Sequence, residues 1–127
     1  RFKKLWCEHF TLDRGSYAIL KNLSTTMPTY LLSNTNALHI EYIRKTYSFP
    51  RLVRNSILSH ELGLRKPQPE IYEAALKMSA TKPHETIFID DLEENCAGAR
   101  RVGLRAIRYR GAADLKKRLG ELGLTRL

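Results

Sequence analysis

"IFIDDLEENCAGARRVGLRA", residues 87–106, is the stretch on which the fold turns. Ile87, Phe88 and Ile89 lead straight into Asp90 and Asp91, and acidic residues, Asn95 and the small residues Ala97, Gly98 and Ala99 follow. A short apolar run bounded by polar residues reads as a buried parallel strand. The small residues let the next helix lie close on a sheet, Gly103 ends that helix, and LRAIRY (104–109) reads as a further strand. Two adjacent carboxylates at a buried strand end repel each other and are costly without a cation. An oxygen-ligated Mg²⁺ removes that cost. The plainer reading, that one of them caps the helix, needs only a single carboxylate.

Outward from this stretch the pattern alternates. TYLLSNT (29–35) suits a buried parallel strand, after which Thr35 or Asn36 can cap a helix through about Tyr47. SILSH (56–60) is another short run, followed by the break GLRKPQP. Pro69 fits a first helical turn, with Glu70 complementing the helix dipole, and IYEAALKMSA continues that helix. The last helix covers about 112–122. Residues 1–10 and 14–24 read as helical, with Phe2, Leu5, Trp6 and Phe10 at helical spacing. Alternating strands and helices imply a parallel Rossmann-like α/β sheet with helices on both faces. Ligands in such sheets bind beyond the carboxyl ends of the strands. Ser33 and Asn34, Lys66, and the Asp90–Asp91 pair all fall there, each after a different strand.

Each of these residues also has a bland reading. Ser33 alone is a strand-end hydroxyl; with Asn34 and the turn's backbone N–H groups it can donate to a phosphate. Lys66 alone is a surface lysine. Before a Pro-x-Pro helix start it is aimed back over the strand ends, where it can neutralise a phosphoryl group and a carboxylate. Asn95 serves ligand orientation or plain capping. His39 reads as a half-buried helix residue, His60 closes a strand, His84 sits in a loop, and no spacing among the histidines makes a zinc site. Cys96 reads as packing rather than as a nucleophile.

The 127 residues, 43% of them apolar, suffice for one domain with a real core. No run of 18 apolar residues exists, so no helix spanning a membrane is expected. The start, RFKKLWCEHF, lacks a secretory pattern and an initiator methionine, which reads as a processed or truncated chain. Cys7 and Cys96 lack CxxC spacing and read as reduced thiols of a cytoplasmic protein. Of the net charge of +9, residues 97–127 hold +7, from nine Lys/Arg against two Asp/Glu. That tail has no recognition-helix pattern and no aromatic platform, so a solvated basic face is favoured over nucleic-acid binding, and it also attracts anionic substrates.

Together, "LLSNTN", "GLRKPQPEIYEAAL" and "IFIDDLEENCAGARRVG" resemble the haloacid dehalogenase-like hydrolase superfamily, in its phosphatase branch with a small helical cap. The resemblance runs from about residue 14 to the C-terminus. It implies a Mg²⁺-dependent hydrolase of small phosphorylated metabolites of the sugar-phosphate type. Ser33 would be the phosphate-binding serine with Asn34 beside it, and Lys66 the lysine of the third motif. Asp91 would be the Mg²⁺ ligand, and Asp90 an accessory acid and second ligand. Residues 1–13 would be a cap remnant and 14–127 a partial core. The family's chemistry starts from a DxD motif on the first, central strand, and nothing before Ser33 supplies one; Asp13 has no partner two residues on. The expectation is therefore an incomplete sheet lacking its central strand, with a homodimer closing the gap. The alternative to a phosphatase is a non-catalytic remnant that binds phosphate ligands or a partner chain.

Overall fold

The computed structural model describes residues 2–7, 14–33, 55–58 and 63–124. In chain order these form β1 (Lys4–Cys7), α1 (Arg14–Thr26), β2 (Thr29–Ser33), β3 (Asn55–Leu58) and α2 (Pro69–Ser79). A 3-10 turn (Pro83–Glu85) leads into β4 (Thr86–Asp90), followed by α3 (Glu93–Val102), β5 (Arg105–Arg108) and α4 (Ala112–Glu121). The five strands make one parallel sheet in the order β3-β2-β1-β4-β5. The helix expected after Thr35 lies outside the described residues.

The centre of the sheet is filled. β1 pairs with both neighbours, Leu5 lying opposite Thr29 on β2 and Ile87 on β4. Two expectations are corrected by this: residues 4–7 are a strand where a helix over 1–10 was expected, and no gap separates β2 from β4. The physical reason is burial. Leu5, Trp6 and Cys7 are each 0% exposed, and a strand covered on both faces carries a continuous apolar run with no alternation to betray it. Four residues are also too few to show a period, so the 3–4 spacing of Phe2, Leu5, Trp6 and Phe10 mimics a helical stripe. With the gap gone, and with Leu5 and Trp6 buried, the grounds for expecting a covering second copy go too.

Side chains alternate across the sheet and build two cores. Leu5, Cys7, Ile87, Ile89 and Ile107 pack on one face against Ile19 and Leu23 of α1, Met27 just after it, and Leu115 and Leu119 of α4. Trp6, Tyr30, Leu32 and Phe88 pack on the other against Ile71, Tyr72 and Ala75 of α2 and Ala99 of α3. Helices therefore cover both faces, as expected. Trp6 stacks on Tyr30 with ring centroids 4.6 Å apart and donates from Nε1 to Ser79 Oγ at 3.2 Å. At the amino end of the sheet, Lys3 N donates to the Glu85 carbonyl at 2.8 Å, and Lys3 Nζ pairs with the Glu85 carboxylate at 3.1 Å. The N–H of Lys82 and the charge of Lys3 together hold the Glu85 carboxyl below its ordinary value. Gly103 ends α3 in the left-handed region at φ 99°, where a Cβ would be strained.

Candidate functional site

The carboxyl ends of the parallel strands place β2, β1 and β4 side by side, with Ser33 last in β2 and Asp90 last in β4. Asn34, His39 and His60 lie outside the described residues. His84 is exposed in the turn before β4, at the opposite end of the sheet.

Asp90 is the hub. Its Oδ2 accepts from Lys66 Nζ at 2.6 Å and from Asn95 Nδ2 at 3.2 Å, and its Oδ1 accepts the Leu92 N–H at 2.9 Å. The Lys66 and Asp90 side chains are both fully buried. A buried carboxylate is tolerable only when paired and hydrogen-bonded, and here each oxygen has donors. The bond to Leu92 N–H is also a helix cap. Leu92 is the N-cap of α3 and its own side chain makes no cap bond, so Asp90 satisfies one of the orphan donors of that helix. Capping and lysine pairing are done by one group.

Lys66 reaches this point because the segment before α2 is tied in a tight turn. Gln68 N donates to the Arg65 carbonyl at 2.9 Å, and Arg65 N donates to Gln68 Oε1 at 2.8 Å. The ammonium also lies 5.5 Å from the Phe88 ring centroid, a favourable placement for a cation. Asp91 is different in kind. It is exposed, and its carbonyl accepts from Arg108 Nε at 3.4 Å. The two carboxylates are thus separated by environment, one buried against a lysine, the other facing water.

The donor chemistry fits Mg²⁺ at Asp91 and not at Asp90. Asp91 offers a hard, solvent-facing carboxylate of the type that cation prefers, whereas Asp90 Oδ2 already holds an ammonium. Among the described residues no group of three or more His, Cys, Asp or Glu side chains could hold a metal ion. Asp91 and water are what this part of the chain provides.

Sequence reasoning passed over Tyr72. It lies in "IYEAAL" and looks like ordinary helix core, yet its hydroxyl donates to the Asn95 carbonyl at 2.6 Å. Burial, and then the negative charge of Asp90, push that hydroxyl's ionisation well above its ordinary value. A cavity of about 520 Å³, lined by Phe2, His84, Arg100 and Arg105 among others, opens at the amino ends of the strands and not at Asp90.

This strand order defines a Rossmann-like α/β fold, with a buried lysine–carboxylate pair at the carboxyl ends of its strands. The chain belongs to the haloacid dehalogenase-like hydrolases, whose match covers residues 3–103 and so includes β1. It is 29% identical over 124 residues to the D-ribitol-5-phosphate phosphatase of Bacteroides thetaiotaomicron, covering 92% of this chain and 60% of that protein. A HAD family enzyme of the same organism, solved in complex with magnesium and inorganic phosphate, is 32% identical with a TM-score of 0.69. That likeness covers 73% of this chain and 50% of the other. An uncharacterised protein of Corynebacterium glutamicum shares the fold, with a TM-score of 0.81 at 23% identity over 98% of this chain and 97% of that one. The chain thus spans 60% or less of the length of each of these Bacteroides matches.

Proposed function

We propose that this chain carries the phosphate- and Mg²⁺-binding part of a phosphatase acting on small, sugar-phosphate-type monoesters. The observation that carries the reading is the buried Lys66–Asp90 pair, 2.6 Å long, beside the exposed carboxylate of Asp91. In it, Lys66 neutralises charge on a bound phosphoryl group, Ser33 and Asn34 donate hydrogen bonds to its oxygens, and Asp91 holds Mg²⁺. Asp90 fixes Lys66, and Asn95 orients Asp90. Support comes from the family and from relatives that are phosphatases or bind magnesium and phosphate. Cys7 and Cys96 are both buried, which suits a reducing compartment such as the cytoplasm. No helix among the described residues is long and apolar enough to cross a membrane.

Hydrolysis of p-nitrophenyl phosphate with and without EDTA tests the reading. Turnover should require Mg²⁺ and fall sharply in Asp91→Asn; activity indifferent to both would overturn it. The first carboxylate in sequence after β1 is Glu8, so Glu8→Gln belongs in the same series, to ask which group attacks phosphorus. Phosphate binding without turnover would instead favour the second reading, a non-catalytic phosphate-binding member, which the missing DxD motif motivates.

A further inference from the structure

Gly98 lies where α3 meets the segment leading into α2. A Cβ at this position would fall 2.8 Å from Pro67 Cβ, 3.0 Å from the Pro67 carbonyl oxygen and 3.0 Å from Tyr72 Oη. Carbon atoms in comfortable contact stand roughly 3.5–4.0 Å apart, so no larger residue fits without displacement. Neither Pro67 atom is the tip of a flexible side chain. Tyr72 Oη is held as well, by its 2.6 Å bond to the Asn95 carbonyl.

Both ends of this contact lead to the same carboxylate. Pro67 follows Lys66, whose ammonium sits on Asp90 Oδ2, and Asn95 donates to that same oxygen from the first turn of α3. Gly98 is on the next turn of the same helix, one turn beyond Asn95. Any separation of α3 from Pro67 therefore moves Lys66 and Asn95 apart.

We propose that Gly98, Pro67 and Tyr72 form a clamp between α2 and α3 that sets where the Lys66 ammonium stands on Asp90. They are positioning residues that act through Lys66 and Asn95. The consequence for phosphate binding rests on the function proposed above. The consequence for the placement of Lys66 does not.

The test uses Gly98→Ala and Tyr72→Phe in the full chain. Each is acetylated with an N-hydroxysuccinimide ester, and labelling at Lys66 is followed by peptide mass spectrometry against the exposed Lys77 and Lys82. Lys66 should be protected in the wild type. In Gly98→Ala it should label about tenfold faster, as a locally opened site does, while Lys77, Lys82 and Trp6 emission stay unchanged. Tyr72→Phe keeps the ring and fold, so it covers the case in which Gly98→Ala does not fold, and it should give a smaller rise in the same direction. Protection equal to wild type in the folded variants, even with a lower melting temperature, would reduce the contact to plain packing and overturn the clamp. Calorimetry with inorganic phosphate and Mg²⁺ separates the two readings. Affinity should fall about tenfold in Gly98→Ala as a charge-assisted bond is misplaced. If Lys66→Met binds phosphate as the wild type does, the proposed function fails while the labelling still decides the clamp. If Lys66→Met loses binding and Gly98→Ala keeps it with Lys66 protected, the clamp alone fails.

Discussion

Lys66 Nζ stands 2.6 Å from Asp90 Oδ2, and neither side chain reaches solvent. Two ions taken out of water repay their desolvation only through close geometry and further hydrogen bonds, which Asn95 and the Leu92 N–H supply here. Removing one partner leaves the other charge buried and alone. Lys66→Met should therefore cost about 3–5 kcal/mol in urea unfolding. The double variant Lys66→Met/Asp90→Asn should be more stable than Lys66→Met by itself, because no naked carboxylate remains. Additive losses in that cycle would show that the two groups are not coupled.

Cys96 gives a pH prediction. Its thiol is fully buried and lies 3.6 Å from the Asp90 carbonyl oxygen. Burial, and then the negative charge of Asp90, push it up to about 11 from an ordinary 9.0. The folded state therefore keeps a proton that the unfolded chain releases between those values. Stability from this group is complete below about pH 9 and is lost as pH rises towards 11. Melting temperatures from pH 8.5 to 10.5 should fall less steeply in Cys96→Ala than in the wild type. Tyr72 adds a loss of the same sign at still higher pH, so some slope remains in the variant. Parallel profiles for the two proteins would contradict the assignment.

The strands other than β1, and the meeting of Lys66 with Asp90, were legible because strand ends carry the polar residues. Lys66, which follows one apolar run, and Asp90 and Asn95, which follow another, meet within one hydrogen-bonded cluster. Helices at 14–26, 69–79 and 112–121 follow from apolar spacing and from Pro69 as a start signal. β1 was not legible. In "KLWC" every buried residue is apolar on both faces, and the longer frame around it matches a helical stripe equally well. The division of labour between Asp90 and Asp91 was hidden for another reason. Adjacent aspartates look alike in sequence, and only packing decides which one Lys66 covers. Tyr72 and Gly98 were hidden because their roles depend on the approach of two helices.

Mg²⁺ affinity should be weak. Asp90 spends its oxygens on Lys66, Asn95 and Leu92 N–H, so the cation meets Asp91 and water. A cation that dehydrates reluctantly binds such a sparse set with a dissociation constant on the order of millimolar. Calorimetry should show this value raised beyond detection in Asp91→Asn, with little change in folded stability, since Asp91 is exposed. Micromolar affinity would require further carboxylate ligands from residues beyond those placed at the site above.

The final prediction concerns β1, the element on which the completeness of the sheet depends. Trp6 is the chain's single tryptophan, so its fluorescence reports on that strand alone. It is 0% exposed, stacks on Tyr30 at an interplanar angle of 20°, and its indole N–H is bonded to Ser79 Oγ. Native emission should be blue-shifted and resistant to acrylamide, and it should be lost in the same urea transition as the far-UV circular dichroism. Trp6→Ala should cost about 3–5 kcal/mol, as large core truncations do. Trp6→Phe should cost less: an aromatic ring stays against Tyr30, and Ser79 Oγ keeps its 2.8 Å bond to the Ala75 carbonyl. A surface helix over residues 1–10 makes opposite predictions on every count. Its tryptophan would be quenched readily, would change emission outside the main transition, and could be replaced by alanine at nearly no cost. Acrylamide quenching in the native state is the quickest discriminator, because it needs no variant and no assumption about activity. A quenching constant close to that of the urea-unfolded chain would remove β1 from the centre of the sheet and restore the gap between β2 and β4.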